Sequence, residues 1–355
     1  MSTGSKNRRM VVLTDGHSNP ITAKTACSVL RYCGDEVLAV LDANAKGKTA
    51  EQILGVGGQT PVVADLDSVP DAQTLLIGIA PPGGKIPEHW RPIVLHAISR
   101  GMNIVSGLHE FLNDDATFRT AAEAAGVQLV DVRQNDEHDV ANRKNIRPDC
   151  LRVLTVGQDC CVGKMVVSIE LTRSLRARDV DVKFIATGQT GILIEGDGCP
   201  VDCVVSDFIS GAVEKQILSN QHHDVLCIEG QGSLAHPRYS AVTLGLLHGS
   251  MPHGMILCYE AGREVVHGMP EITLKPLAEL RAAYESTASL MMPSRVIGIA
   301  MNSRLLSAED AEKERARVRE EFGLPVCDVF RYGSDELLDA VLELRADLFE
   351  NGASS

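Results

Sequence analysis

The stretch from Val153 to Met165 constrains the fold most, because an apolar run leads into a glycine loop that ends in Gly163-Lys164. Apolar residues after Met165 recur at near-helical spacing, so the pattern predicts a strand, a loop and a helix. The free backbone N–H groups of such a loop lie at a helix N-terminus, where they bind anionic oxygen. We therefore predict a phosphate-binding loop rather than a purely structural turn. The predicted cofactor-binding residues are Gly157, Asp159, Cys160, Cys161, Val162, Gly163, Lys164 and Met165.

This loop departs from the usual nucleotide-binding signature in two ways. Five residues rather than four separate Gly157 from Gly163, and Met165 stands where a Ser or Thr hydroxyl would bind Mg²⁺. A thioether is a soft and poor ligand for a hard cation. The sequence therefore predicts a phosphate cradle without a magnesium ligand, and we expect no metal.

The ten cysteines are scattered and include no Cys-x-x-Cys, which is typical of reduced thiols. Cys160 and Cys161 lie in the glycine loop, where a helix N-terminus can lower a thiol pKa. We interpret them as small residues packed under a phosphate, since no histidine neighbours them in sequence to form a Cys–His pair. Cys199 and Cys203 are interpreted as apolar filler, because no His/Cys/Asp cluster has zinc-like spacing.

A chain of 355 residues predicts two domains. Apolar runs alternate with helical patterns in both halves, so we predict an α/β fold with mainly parallel sheets. The polar segment 131–149 is interpreted as the linker between them. We expect a Rossmann-like N-terminal domain over residues 1–147, including the linker, and a P-loop NTPase-like C-terminal domain over residues 148–355.

The N-terminal domain lacks Gly-x-Gly-x-x-Gly after its first strand, so no dinucleotide site is indicated. Polar loops follow three of its predicted strands, at Asp15-Gly16-His17, at 80–85 and at 106–109. Ligands gather at such strand ends in open α/β sheets, but the ligand stays open here. For His17 and His109, a histidine hydrogen-bonded in a loop is as good an explanation as a functional one.

A formal net charge of −13 disfavours binding to nucleic acid or an anionic membrane, because both are bound through basic patches. No apolar run is long enough to span a bilayer, and no apolar segment follows the polar first nine residues as in a secretory signal. A cytoplasmic homo-oligomer that binds small molecules is expected. The last five residues are expected to fray.

The segment from Glu229 to His236 has the composition of an active-site loop, with a carboxylate, two glycines, a hydroxyl and an imidazole after an apolar run. An acidic residue at such a strand end lies near the phosphates in nucleotide-binding folds. Substrate contacts are predicted from polar residues in neighbouring loops, namely Gln189, Thr190, Ser233, Arg238 and Arg263. A guanidinium fork can hold a carboxylate, although a solvated surface role explains Arg238, Arg263 and Arg304 equally well.

Several motifs occur in order along the chain, namely Gly157–Met165, Thr187-Gly-Gln-Thr-Gly191, Val204-Val-Ser-Asp-Phe208, Glu229-Gly-Gln-Gly-Ser-Leu234 and Gly245-Leu-Leu-His-Gly249, with Leu76–Gly84 and Val105–His109 towards the N-terminus. With these motifs, the chain resembles a known family, the DgcN-type N-acetyltransferases. The resemblance covers nearly the whole chain. It implies a Rossmann-like domain, a P-loop domain and, as in one family member, acetylation of D-glutamate by acetyl-CoA.

The loop is also similar to that of dethiobiotin synthetase, which has the longer spacer but a Thr at the position of Met165. An ATP-using enzyme needs Mg²⁺ to offset developing charge, whereas the diphosphate of CoA only has to be held. Met165 therefore favours acetyl-CoA, as co-substrate, over a reacting nucleotide.

Acetyl transfer requires a base for the ammonium group and donors for the oxyanion. We expect Glu229 or His236 to be the base and N–H groups of the 230–233 loop to be the donors. The resemblance itself assigns no role to these positions. Two alternatives stay open: an ATP-dependent ligase or kinase of the dethiobiotin-synthetase type, and a nucleotide-binding protein without turnover. The role of the N-terminal domain also stays open.

Overall fold

The computed structural model describes residues 8–81 and 83–349, so the expected fraying of the last five residues lies outside it. The chain divides into two compact units at Asn135/Asp136. The first unit also takes in Gln189–Cys203, and the second holds Asp136–Gly188 and the chain from Val204 onward. Each unit is built on a parallel sheet with helices, which confirms the predicted α/β fold.

The first unit has, over its described residues, a six-stranded sheet in the order β3-β2-β1-β4-β5-β6, with every neighbouring pair parallel. This is the Rossmann strand order, in which the direction of winding reverses between β1 and β4. Its strands are β1 Met10–Leu13, β2 Val37–Leu41, β3 Val62–Val63, β4 Thr74–Ile77, β5 Asn103–Ser106 and β6 Leu129–Asp131. Its helices are α1 Lys24–Tyr32, α2 Ala50–Leu54, α3 Arg91–Ser99, α4 Ala116–Ala125 and, from the second segment, α6 Gln189–Glu195.

The segment Gln189–Cys203 is joined to the first unit through helix α6. The side-chain amide of Gln189 donates to Thr25 Oγ1 of α1 at 2.7 Å, across 164 residues of sequence. The added Cβ of an alanine at Gly107 would lie 1.9 Å from Gln189 Oε1, so only glycine allows this approach. The sequence placed this segment in the C-terminal half, and hydrophobic periodicity gives no signal for its return.

The second unit has a parallel six-stranded sheet in the order β14-β13-β10-β7-β9-β8 and an antiparallel hairpin, β11-β12, among the residues described. Its strands are β7 Leu151–Gly157, β8 Val182–Ile185, β9 Val225–Ile228, β10 Gly254–Glu260, β11 Val265–Val266, β12 Met269–Thr273, β13 Arg295–Asn302 and β14 Val326–Cys327. Its helices are α5 Lys164–Ala177, α7 Ile209–Asn220, α8 Ser240–Ser250, α9 Leu277–Ser289, α10 Ala308–Phe322 and α11 Asp335–Phe349.

Strands β7 and β10 form the centre of this sheet, and both are buried along their full length. Strands that are buried on both sides are typical of a parallel sheet covered on both faces. The central position of β7 puts the glycine loop at the carboxyl edge of the sheet, where α/β folds bind ligands.

The polar segment interpreted as a linker is attached to the second unit after Asn135. The backbone N–H groups of Asn142 and Arg143 donate to the buried carboxylate of Glu214, at 2.9 and 2.8 Å. The predicted domain boundary between residues 147 and 148 stays a prediction. Within the described parts of the chain, no helix is both long and apolar enough to cross a membrane.

Candidate functional site

The glycine loop has the predicted strand–loop–helix setting, since β7 ends at Gly157 and α5 begins at Lys164. Gly163 has a φ of 105° and Cys161 a φ of 58°, so the backbone takes two left-handed conformations before the helix starts. A φ above zero strains residues with a Cβ, which makes glycine the natural residue at position 163. The first turn of α5 then leaves its backbone N–H groups for an anion.

Lys164 is folded into the loop rather than extended into solvent. Its side chain is 7% exposed, and its Nζ donates to the carbonyl oxygen of Asp159 at 2.7 Å. Burial lowers the pKa of this ammonium group, because a cation is costly away from water. A phosphate oxygen would be a stronger partner for this ammonium group than the carbonyl, because both groups would then be charged.

Asp159 is the centre of the contacts that hold the loop in place. Its carboxylate is 1% exposed; Oδ1 accepts from the N–H of Cys160 at 2.7 Å, and Oδ2 accepts from the N–H of His267 at 2.6 Å. Arg263 Nη1 adds a bond to Oδ2 at 3.1 Å and one to the carbonyl of Cys160 at 3.0 Å. Arg263 also pairs with Glu260. This predicted substrate arginine therefore has its guanidinium bonded to the protein.

Tyr284 of α9 joins the glycine loop to the predicted active-site loop. Its hydroxyl donates to the carbonyl of Gly157 at 2.8 Å and accepts from the N–H of Leu234 at 3.1 Å. Burial raises the pKa of this phenol, so it stays a donor at neutral pH. Ser233 Oγ makes a second link by donating to the carbonyl of Gln158 at 3.0 Å. Sequence reasoning missed Tyr284, which is 127 residues from Gly157 and lies in no recognised motif.

Glu229 follows β9 directly and turns its carboxylate towards the end of β8. Its Oε2 accepts from the N–H groups of Thr187 and Gly188 at 2.9 and 3.1 Å, and its side chain is buried. A Cβ at Gly188 would lie 3.1 Å from Glu229 Oε1, so glycine makes room for the carboxylate. Two adjacent strand ends thus fix this acidic group in one orientation.

His236 has a tautomer that its contacts define. Its Nδ1 accepts from the backbone N–H of Arg238 at 3.1 Å, so a neutral ring carries its proton on Nε2. That nitrogen lies 3.7 Å from Asp159 Oδ1, beyond hydrogen-bond range, and has no hydrogen-bond partner among the described residues. Burial lowers the pKa of the ring, so it is neutral at pH 7. This histidine is arranged as a donor.

Arg238 differs in its surroundings from the other two predicted arginines, Arg263 and Arg304. Its side chain is exposed and forms no ion pair with any residue that the structure describes. Arg304, by contrast, pairs with Glu260, as Arg263 does. Of the three arginines that the sequence singled out, Arg238 is thus the one whose guanidinium can bind a substrate anion at no cost to an existing pair.

Gln189 and Thr190 belong to the first unit. The amide nitrogen of Gln189 donates to Thr25 Oγ1 at 2.7 Å and to Thr190 Oγ1 at 2.6 Å, and Thr25 and Thr190 are 3.2 Å apart at their hydroxyls. These contacts close a polar cluster between α1 and α6. Their predicted role in substrate binding stays a prediction.

The two cysteines of the loop differ in setting. Cys161 is exposed, whereas Cys160 is partly buried, and a hydrogen bond of its thiol to Cys161 together with burial raises the Cys160 pKa. Cys160 is therefore a thiol at neutral pH and a weak nucleophile. Val162 is buried in the core behind the loop, and Met165 lies in the first turn of α5. These contacts fit the interpretation of the cysteines as packing residues.

Two family models match the chain. One is described as a domain of unknown function, DUF1611_C, P-loop domain, and matches residues 139–338. The other is described as DUF1611_N, Rossmann-like domain, and matches residues 43–135. Both descriptions agree with the sheets observed in the two units.

Similar proteins of known name and structure cover most of the chain. A protein of Tritonibacter scottomollicae named D-glutamate N-acetyltransferase is 37% identical over 286 residues, which is 80% of this chain and 85% of that protein. One from a Pseudoalteromonas species, with the same name, is 38% identical over 75% of this chain and 80% of that protein. A crystal structure of a DUF1611 family protein from Anabaena variabilis matches with a TM-score of 0.89 and 37% identity, over 95% of this chain and all of that one. These matches confirm the resemblance that the motifs indicated.

Proposed function

The chain belongs to the DUF1611 family, and from this premise we propose that it transfers an acetyl group from acetyl-CoA to the amino group of D-glutamate. The observation that carries the proposal is the identity of 37 and 38% with two relatives named for that activity, over at least three quarters of the chain. The geometry of the second unit supports the proposal for both the acetyl donor and the acetyl acceptor.

For the donor, we propose that the loop from Gly157 to Met165 holds the diphosphate of CoA. Backbone N–H groups at the start of α5 and the ammonium of Lys164 supply the positive charge. Met165 offers no hard ligand for Mg²⁺, which a held diphosphate does not need. A reacting triphosphate would need that ion, so the loop favours CoA over the ligase or kinase alternative.

For the acceptor, we propose that Arg238 binds a carboxylate of glutamate. Its guanidinium has the fork geometry that matches a carboxylate, and it is exposed without an ion pair in the described structure. For Ser233, we propose a positioning role instead of the predicted contact with substrate, because its hydroxyl already bonds to Gln158.

Of the two predicted bases, we propose Glu229. Its carboxylate is oriented by two backbone N–H groups, and a carboxylate at neutral pH can accept the proton of an ammonium group. His236 is less suited, because the lone pair of Nδ1 is used by Arg238 and Nε2 carries hydrogen. The N–H of Gly230 already donates to Thr155 Oγ1 at 2.9 Å, so we propose that the other N–H groups of the 230–233 loop face the oxyanion.

The test is an assay of free thiol release from acetyl-CoA with D-glutamate, L-glutamate or D-glutamine. D-Glutamine is the matched control, since it keeps the stereocentre and the amine but lacks the side-chain carboxylate. We expect release with D-glutamate, and mass spectrometry of the product should show one added acetyl group. Absence of release with every amino acid would refute the proposal.

A second measurement separates the enzyme from its nucleotide-using alternative. Magnesium-dependent formation of ADP, increased by Met165→Thr, would favour a ligase or kinase; we expect none. A cytoplasmic location is also proposed, supported by the ten free cysteines. A homo-oligomer is proposed as well. Size-exclusion chromatography with light scattering tests the oligomer.

A further inference from the structure

The first unit brings together an imidazole, a thiol and a carboxylate that are far apart in the sequence. His109 follows β5 at the carboxyl edge of the sheet. Asp202 and Cys203 lie in a short 3₁₀ helix, Val201–Cys203, at the end of the segment Gln189–Cys203, which belongs to this unit. One donor atom from each of the three residues lies within 4.8 Å of the others. We propose that these three side chains form a binding site for a zinc ion, independent of the acetyl-transfer reaction.

The spacing of the nitrogen and sulfur fits a shared metal. His109 Nδ1 and Cys203 Sγ are 3.4 Å apart. Two such ligands on one tetrahedral Zn²⁺, at the usual bond lengths of about 2.1 and 2.3 Å, are separated by about 3.6 Å. The donors thus need to move by only tenths of an ångström to bind the same ion.

The ring orientation leaves the required lone pair available. Nδ1 faces a sulfur, whereas Nε2 faces Asp202 Oδ2 at 3.9 Å. Nδ1 has the Cys203 thiol beside it, so its lone pair is available to a cation in the tautomer that carries hydrogen on Nε2.

The carboxylate of Asp202 has one oxygen free for the ion. Arg133 pairs with Oδ2, while Oδ1 is buried and has no hydrogen-bond partner among the described residues. A buried oxygen without a partner is destabilising, and a bound cation would remove that cost. Arg133 also donates through Nε to the carbonyl of Gly107 at 2.7 Å, which fixes the carboxylate relative to the loop of His109.

The backbone around the cluster is held in place. His109 donates its N–H to the carbonyl of Gly84 at 3.0 Å, and a Cβ at Gly84 would lie 2.6 Å from the imidazole. The side-chain amide of Asn135 donates to the carbonyl of Cys203 at 3.1 Å. These backbone bonds position His109 and Cys203, and the half-exposed side chain of His109 leaves a path for the ion.

The second unit also contains a His/Cys/Asp cluster, but its histidine lacks an available lone pair for a metal. Donor atoms of Asp159, Cys160 and His236 also lie within 4.8 Å of one another. There, however, Nδ1 of the histidine accepts from a backbone N–H, so Nε2 carries hydrogen and has no lone pair for a metal. The tautomer thus assigns the ion to the first unit.

Nitrogen, sulfur and carboxylate donors together select Zn²⁺ over Mg²⁺ or Ca²⁺, which prefer oxygen alone. Three protein ligands leave a fourth position for water. The sequence shows no zinc-like spacing, because two of the three ligands come from a segment about 90 residues after the first.

The experiment measures metal binding directly, in the full-length protein. The purified chain is dialysed against limiting Zn²⁺ and its metal content determined, and Co²⁺ is added in parallel to detect a thiolate-to-cobalt absorption band. We expect one ion per chain and a band that is lost in Cys203→Ser. Affinity should fall by at least about 10- to 100-fold in Cys203→Ser and in His109→Gln, as for disruption around other zinc sites. Cys33→Ser, which changes another partly buried thiol of the first unit, should leave both the cobalt band and the Zn²⁺ affinity unchanged.

Three results would overturn the site. They are a wild-type chain that takes up no Zn²⁺, an unchanged affinity in Asp202→Asn and Cys203→Ser, or loss of the cobalt band in Cys160→Ser instead, which would place the ion in the second unit. Circular dichroism of each variant checks the fold, and His109→Gln serves where Cys203→Ser does not fold. None of these readouts depends on acetyl transfer, so they separate this site from the proposed function.

Discussion

Replacement of Lys164 by methionine tests whether the glycine loop holds the diphosphate of CoA. Methionine keeps an unbranched side chain of similar length and so preserves the packing of a residue that is 7% exposed. What is lost is the ammonium group, which we expect to bond to a phosphate oxygen. One hydrogen bond to a charged partner contributes about 1.5–3 kcal/mol.

The expected loss is near the lower end of that range. In the free protein, Nζ already donates to the carbonyl of Asp159 at 2.7 Å, so binding exchanges one partner for a stronger one. A net change of about 1.5–2 kcal/mol corresponds to a dissociation constant about 10- to 30-fold higher, at about 1.4 kcal/mol per factor of ten. The free energy of unfolding should not fall, because the variant also removes a buried cation whose pKa is lowered by burial.

Isothermal titration with CoA and with pantetheine gives the assay and its ligand control. Pantetheine keeps the thiol arm but has no diphosphate, so Lys164→Met should not affect its binding. Lys313→Met, at an exposed lysine of α10, is the matched protein control. Equal losses for both ligands, or an unchanged affinity for CoA, would refute the assignment of the loop.

Three further predictions concern other parts of the chain. Arg238→Gln should raise the KM for D-glutamate about tenfold, as expected for loss of one charge-assisted hydrogen bond at an exposed site, with the KM for acetyl-CoA unchanged in steady-state kinetics. Gly230→Ala should destabilise the protein by more than about 3 kcal/mol in urea unfolding, because its Cβ would lie 1.6 Å from the carbonyl oxygen of Thr155; a smaller loss would contradict that packing. Burial, with nearby Arg152, lowers the pKa of His253 to about 3 from 6.5. The unfolded chain therefore binds more protons than the folded chain between these two pH values, so the free energy of unfolding should fall as pH drops through this window, by at most about 1.4 kcal/mol per pH unit. His253→Gln should flatten that slope, measured by urea titrations at several pH values.

The parts of the site that the sequence predicted are those built by neighbouring residues. The strand before Gly157, the helix from Lys164 and the acidic residue at the end of β9 each depend on local patterns, and all three occur in the structure. Such patterns survive in a single sequence because a strand or helix is defined within a few residues.

The contacts that hold the site together were not predictable in this way. Asp159 meets Arg263 across 104 residues, and Tyr284 meets Gly157 across 127. A single arginine or tyrosine carries no mark of its partner, so the sequence left Arg263 open between substrate binding and the surface. The structure shows a third role, which is to hold the loop.

The tautomer of His236 shows a similar limit. A histidine at the end of an active-site loop is a reasonable candidate base, and composition cannot distinguish a base from a donor. The distinction depends on the backbone N–H of Arg238, two residues later, and thus on the local path of the chain.

The discontinuity of the first unit has a consequence for how the protein is made. All six strands of its sheet precede residue 132, yet α6 packs on α1 and bonds Gln189 to Thr25 across 164 residues. At about 5–20 residues per second, the ribosome needs roughly 3–14 s after residue 135 to deliver this segment. During that time the nascent chain exposes the face of α1 that α6 will cover, and a fragment ending at residue 135 would keep it exposed. We expect chaperone binding to persist on the emerging chain until the segment through Cys203 has been synthesised.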